Sequence, residues 1–202
     1  MDEIISFGGA LGSLSLTIEP ARPTDIPAIL KFGSRLSLDT AAWRSLQEAG
    51  NVVVGKSYKG QIAGLCVANH YSLLYKDERF HDLRAALSVL CNRFKLSDSA
   101  IAFGAQVVIA GELEFNDLRS HLLRSLLRTV GLRYRHLFGF CRKDDPMELQ
   151  ALEREGWRCY QEEDEDCYLM LDVARALRGL ATRLVMPLSP ERSSLTRVAG
   201  HS

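Results

Sequence analysis

Residues 100–113, AIAFGAQVVIAGEL, form an apolar run long enough for a strand at the centre of a sheet, and a leucine-striped segment follows almost at once. Gly104 interrupts the run where a bulge would let the strand bend. From Asn116 to Val130 the leucines at 118, 122, 123, 126 and 127 recur at helical spacing, while Arg119, Arg124 and Arg128 fall mostly off that face. A buried strand feeding a one-sided helix calls for a sheet with helices packed on it, so the fold class is α/β.

The flanking segments extend the alternation. LSLTIEP (14–20) is rich in β-forming residues and leads into ARPTDIPAILKFGSRL, where Thr24 or Asp25 can cap a helix carrying Ile26, Ile29, Leu30 and Phe32. NVVVGKSY (51–58) and QIAGLCVANHY (61–71) flank Lys59-Gly60, the turn of an antiparallel hairpin. Residues 72–97 are expected to be helical, with Leu83, Leu87, Leu90, Phe94 and Leu96 in one stripe. HLFGFC (136–141) is a further strand, and PMELQALEREG (146–156) is a helix with Pro146 in its first turn and Gly156 as its C-terminal cap. WRCYQ and DCYLMLDV close the sheet as a hairpin around the acidic run EEDED (162–166). ARALRGLATRLV, after Val173, makes one more helix, and the Ser-, Pro- and Arg-rich sequence from Pro187 has the composition of a disordered tail.

Composition narrows the function classes. The 202 residues carry 25 basic and 25 acidic side chains, so net charge gives no argument for nucleic acid or an anionic membrane as partner. The five cysteines, Cys66, Cys91, Cys141, Cys159 and Cys167, are odd in number and show no CxxC pairing, which argues against a disulfide framework and against a closed zinc site. No apolar run is long enough to span a membrane, and the start MDEIISFGGALG has no basic n-region. The expected location is the cytoplasm, with no metal.

In chain order the expected elements are β, α, β, β, α, β, α, β, α, β, β. This order resembles the Gcn5-related N-acetyltransferase (GNAT) superfamily, and three stretches carry the resemblance. LTIEPARPTDIPAIL is similar to the family's first strand and helix, VVVGKSYKGQIAGLCVA to its second and third strands with the turn at Lys59-Gly60, and DPMELQALEREGW to its late motif. The resemblance implies an acyl-CoA N-acyltransferase-like fold of the α+β kind. Its central sheet would be mixed, mostly antiparallel, with about seven strands, flanked by helices and splayed to admit an acyl thioester. It divides the chain into an N-terminal extension (1–14), a GNAT-like domain (15–173), and a C-terminal helix and tail (174–202).

The same resemblance implies where chemistry would sit. The family grips the pyrophosphate of coenzyme A with backbone amides of a glycine-rich turn at a helix N-terminus, where the close approach forbids side chains. Here EFNDLRSHLLRSLL stands in that place, with Leu118, Arg119, His121 and Leu123 on the motif's Arg and three glycines. Leu113, Arg119, His121, Leu122, Leu123 and Arg124 are the implied cofactor-binding positions, with Arg119, His121 and Arg124 able to contact phosphate by side chain or to serve as the helix's polar face. Leu152 takes the position of the tyrosine that protonates the leaving thiolate. Tyr160 has the right hydroxyl but reads as a packed strand aromatic. Glu112 and Glu114 point to one face at a strand end and are the candidate catalytic carboxylates. His70 and His136 can titrate near neutrality, though a lone histidine at a strand end is commonly structural. Cys141 reads as a small buried apolar residue rather than a nucleophile.

The function these residues imply is an N-acyltransferase that takes an acetyl or longer acyl group from acetyl-CoA or another acyl thioester. The acceptor would be a small-molecule or protein amine. Loss of the glycines would matter less if the donor were an acyl carrier protein, whose pantetheine brings no pyrophosphate. The alternative is a catalytically inactive GNAT-fold binding or regulatory module. A third expectation is a partner-binding protein whose segments 72–97 and 174–202 make an oligomer interface, such as that of a homodimer.

Overall fold

The computed structural model describes residues 3–9, 12–32, 40–69, 81–97, 100–109, 116–163 and 165–185. Eight strands form one sheet: β1 (Glu3–Gly9), β2 (Gly12–Pro20), β3 (Val52–Ser57), β4 (Ile62–Asn69), β5 (Ile101–Ile109), β6 (His136–Arg142), β7 (Arg158–Glu163) and β8 (Asp166–Asp172). Their spatial order is β1-β2-β3-β4-β5-β6-β8-β7. Every neighbouring pair is antiparallel except β5 and β6, which are parallel.

The sheet is mixed and mostly antiparallel, as expected, with one strand more than the expected count. The addition is β1, inside the segment read as an N-terminal extension, which pairs with β2 from Glu3 opposite Ile18 to Gly9 opposite Gly12. The helices are α1 (Ile26–Phe32, preceded by a 3-10 turn at Pro23–Asp25), α2 (Thr40–Glu48), α3 (His81–Phe94), α4 (Asn116–Val130), α5 (Pro146–Glu155) and α6 (Val173–Val185). Helix α2 was not anticipated; it buries Trp43 and Leu46 against the same side of the sheet as α1. The helix expected over 72–97 is α3, whose predicted portion before residue 81 lies outside the described residues.

Side-chain alternation assigns the layers. On β8, Cys167, Leu169 and Leu171 pack with α4 and α6, whereas Tyr168 and Met170 pack with α3. On β3, Val53 belongs to the α4 side, and Val52 and Val54 to the α1–α2 side. The leucine stripe of α4 behaves as read: Leu118, Leu122, Leu123, Leu126 and Leu127 are all fully buried. Gly55 on β3 lies under this stripe, and a Cβ there would touch Leu118 and Leu122.

Local signals account for the ends of α5. Asp145 accepts a hydrogen bond from the Glu148 amide at 2.9 Å, Pro146 opens the helix, and Gly156 closes it in the left-handed region at φ 102°. The hairpin between β3 and β4 turns at Gly60, φ 74°, as expected. One expectation is corrected: Cys159 and Cys167 are joined as a disulfide across β7 and β8, with Cα atoms 6.0 Å apart. Cys159 faces Leu169, two residues from Cys167, so the hairpin register brings the pair into diagonal reach, and an odd total does not forbid one local bridge.

Candidate active site

The parallel contact between β5 and β6 is short. It pairs Ile101 with His136, Ala102 with Leu137 and Phe103 with Phe138, and then ends. Both strands continue, β5 to Ile109 and β6 to Arg142, each held on its outer side by β4 and β8 respectively. The two strands therefore diverge beyond Phe103 and Phe138, and the sheet splays.

A bulge lies at the point of divergence. Along β4 and β5, Ala68 pairs with Ala105 and Asn69 with Phe103, so the ladder skips Gly104. An extra residue in one strand bends it and increases its twist, and glycine accepts that geometry at least cost. The Gly104 irregularity read from the sequence thus sits where β5 leaves β6. Backbone N–H and C=O groups on the facing edges of the splay have no partner strand among the described residues, which makes them a template for an extended, amide-bearing chain.

Helices α4 and α5 stand on one side of the splay, α4 packed over β2 to β5 and α5 against β6. Arg119, in the first turns of α4, reaches across to α5. Its Nε donates to Glu155 Oε1, and its Nη2 donates to Glu148 Oε1 at 3.0 Å. Glu155 is buried, and the Arg119 side chain is 19% exposed. Burial alone would lower the Arg119 pKa, but its hydrogen bonds and charge contacts with Glu155 and Glu148 outweigh that and hold it above its already high ordinary value. Burial pushes the Glu155 carboxyl upward, opposed by Arg119. Arg119 accordingly reaches the splay with its charge already met by two carboxylates.

At the far end of β6 an open hollow of about 560 Å³ is lined by Phe140, Cys141, Arg142, Asp144, Asp145 and Glu148. Arg142 bridges Asp144 and Glu165 at 3.0 and 3.1 Å. The Cys141 thiol is pushed up by burial and then by Glu148, Asp145, Asp144 and Asp166, the opposite of what a nucleophilic thiolate needs.

No protein-family model and no curated protein matches the chain. Solved structures do. A GNAT-family acetyltransferase from Listeria monocytogenes 4b F2365 superposes with a TM-score of 0.56 at 11% identity, over 83% of this chain and 99% of that one. The yncA protein of Salmonella typhimurium, solved with its cofactor acetyl-CoA, gives 0.54 at 14% identity over 78% and 94%. An N-acetyltransferase from Staphylococcus aureus Mu50 gives 0.50 at 12% identity over 78% and 98%.

This chain has the GNAT fold. At these identities the likeness is one of fold, and it extends over almost the whole of each relative. Within the GNAT fold, the positions singled out from sequence fall into three groups. Glu112, Leu113 and Glu114 lie outside the described residues, as does His70. Leu122 and Leu123 are core side chains under α4. Arg119, His121 and Arg124 share α4 without sharing its buried stripe, and Arg119 is bound to α5 by the contacts above.

The late stretch DPMELQALEREGW forms the cap, helix α5 and the turn after it. Leu152 is buried in the core between α5 and the sheet, and carries no acidic proton. Tyr160 lies on the opposite side of the sheet, its ring edge-on to Phe94 at 5.0 Å and packed beside the α3 cluster. The partners of Arg119 were missed. Glu148, Leu152 and Glu155 are spaced i, i+4, i+7 on α5, a stripe that faces α4, and the two carboxylates on it were the available signal. Among the described residues no group of His, Cys, Asp or Glu is placed to hold a metal ion, and no helix is long and apolar enough to cross a membrane.

Proposed function

We propose that the chain is a divergent GNAT-type N-acyltransferase that moves an acyl group from a thioester donor to an amine acceptor at the splay between β5 and β6. The observation that carries this reading is the end of β5–β6 pairing at Phe103 and Phe138, beside the Gly104 bulge, with both strands running on. The pantetheine arm common to coenzyme A and acyl carrier protein is extended and carries amides, so it suits the unpaired strand edges of the splay. A bound acyl thioester supplies the activated acyl carbon; the amine forms the C–N bond as the C–S bond breaks, the amine loses a proton and the sulfur gains one.

The chain's own part is positioning and proton handling. Glu112 and Glu114 are the carboxylates proposed to take the amine proton. With Leu152 in place of a tyrosine, the departing thiolate takes its proton from water. Among the positions proposed to meet the donor, Leu122 and Leu123 contribute by shaping α4 from within the core, while Arg119, His121 and Arg124 supply its polar side.

A second reading has specific support. The Arg119 contacts with Glu148 and Glu155 tie α4 to α5 beside the splay, and Arg119 offers no net positive charge to a pyrophosphate. This favours either a donor that brings no pyrophosphate or a binding module without catalysis. One experiment separates these readings: incubate the chain with acetyl, octanoyl and palmitoyl groups carried on coenzyme A, on pantetheine and on acyl carrier protein, with a panel of amines, and follow thiol release and binding. Amine-dependent thiol release supports transfer, binding without release supports the module, and neither binding nor release with any donor defeats the acyltransferase reading.

A further inference from the structure

A second polar hollow lies at the start of β6, roughly 7 Å, or two residues, before the point where β5 and β6 part. A cavity of about 110 Å³ is bounded by His136 at the start of β6, Arg158 and Tyr160 on β7, Asp172 at the end of β8, and Arg175 in the first turn of α6. It continues past Gly156, Arg158 and Arg175 into a groove of about 290 Å³ between the end of α5 and the start of α6.

The charges in the hollow are unevenly committed. Asp172 accepts from the Arg175 amide at 2.8 Å and so caps α6. In the adjoining groove, Glu155 is bound to Arg119. The Arg158 and Arg175 guanidinium groups, by contrast, make no ion pair among the described residues, although both line the two hollows. The His136 ring forms part of the cavity wall, and its Nδ1 is buried with no hydrogen-bond partner among the described residues.

We propose that this hollow is a binding site for a small phosphate-type dianion, free or as a phosphomonoester, held by Arg158, Arg175 and His136. Two forked guanidinium groups suit a tetrahedral oxyanion, because each can present paired N–H donors. The 110 Å³ cavity takes the phosphate, and the adjoining groove has room for the organic part of an ester. No part of the site belongs to the splay, so it stands or falls separately from acyl transfer.

The groups around the imidazole also provide the readout. Burial holds the His136 pKa down, Asp172 raises it and Arg135 lowers it, with Arg158, Arg175 and Tyr160 lining the same cavity. A dianion bound there would favour the protonated ring. The full chain is titrated with inorganic phosphate and with glycerol 3-phosphate, with chloride at matched ionic strength as control, while the His136 ring protons are followed by nuclear magnetic resonance across pH.

The expected result is saturable binding of at least one phosphate ligand and an upward move of the His136 midpoint that chloride does not reproduce. Arg158→Gln and Arg175→Gln, both at exposed side chains, should each weaken binding by about tenfold or more. Non-saturating shifts, equal shifts in chloride, or unchanged affinity in both variants would overturn the proposal.

Discussion

Arg119 on α4 and Glu155 on α5, 36 residues apart in sequence, are bound to one another beside the splay, with Glu148 as a second acceptor on the same guanidinium. An ion pair with one buried partner is informative chiefly when it is broken, because its desolvation cost has already been met.

Arg119→Met should therefore destabilise the fold by about 3 kcal/mol, since it strands the Glu155 carboxylate in a buried setting. The double variant R119M/E155Q should recover most of that loss, because no buried charge is then left alone. Urea unfolding of the single and double variants measures both effects. A single variant within about 0.5 kcal/mol of the parent, the range of an ordinary surface change, would show that the pair does not stabilise the fold. Donor binding by the double variant adds a functional readout. A gain in thioester affinity identifies the pair as an obstruction, and a loss confined to coenzyme A thioesters identifies Arg119 as a phosphate contact.

Leu122 tests a different assignment. The family resemblance implies it among donor-binding positions, but it is fully buried against the sheet and touches the space above Gly55. Leu122→Ala should lower unfolding free energy by about 3 kcal/mol through lost burial and a residual cavity. Its effect on thioester affinity, measured where the variant is fully folded, should be the same for coenzyme A and pantetheine carriers. A selective loss for coenzyme A with little loss of stability would return Leu122 to the donor site.

These two residues illustrate what the sequence exposes and what it hides. The stripe on α4 is a periodic signal within fifteen residues, so the helix and its buried face were readable. Gly104 was readable as a bulge because a glycine inside an apolar strand run has few other uses. Glu155 was not, because a charged residue in the last turn of a helix ordinarily faces water. Its burial depends on Arg119 arriving from another helix, a tertiary fact whose one local trace is the shared stripe of Glu148, Leu152 and Glu155 on α5. Strand β1 was obscured by its own composition: IISFGG beside glycines resembles a loop until pairing with β2 gives it a register. Helix α2 offered only Trp43 and Leu46 as apolar anchors of any size, too few to set a period by themselves.

Lys56 on β3 reaches Glu19 and Asp25 at 2.7 Å each, and Arg22 joins Glu19 at 2.7 Å. Desolvation alone would lower the Lys56 pKa, yet the hydrogen bonds and charges of Asp25 and Glu19 together hold it above 10.5. A cation whose folded pKa is raised contributes stability that is fully present below its unfolded value and is lost as pH climbs through the folded one. Lys56→Met should cost about 2 kcal/mol near neutrality. The gap between parent and variant should stay constant to about pH 10 and narrow above it. Thermal unfolding from pH 7 into the alkaline range measures the gap, and a gap that is flat to the alkaline limit would contradict this reading.

His136 has the opposite sign. Burial depresses its folded pKa below 6.5, with Arg135 acting in the same direction and Asp172 against it. The folded chain therefore binds fewer protons at this ring than the unfolded chain does, between the depressed value and 6.5. The stability associated with keeping the ring neutral is complete above 6.5 and is lost as pH falls from there through the folded value. In chloride buffers the parent should lose stability more steeply between pH 7 and 5 than His136→Gln, which has no proton to take up. Melting temperatures of the two proteins across that range decide the matter, and parallel curves would show that the ring titrates as it does in the unfolded chain. If a phosphate dianion occupies the hollow, its presence should flatten the parent's acid slope toward that of the variant, because protonating a ring beside a bound dianion no longer opposes folding.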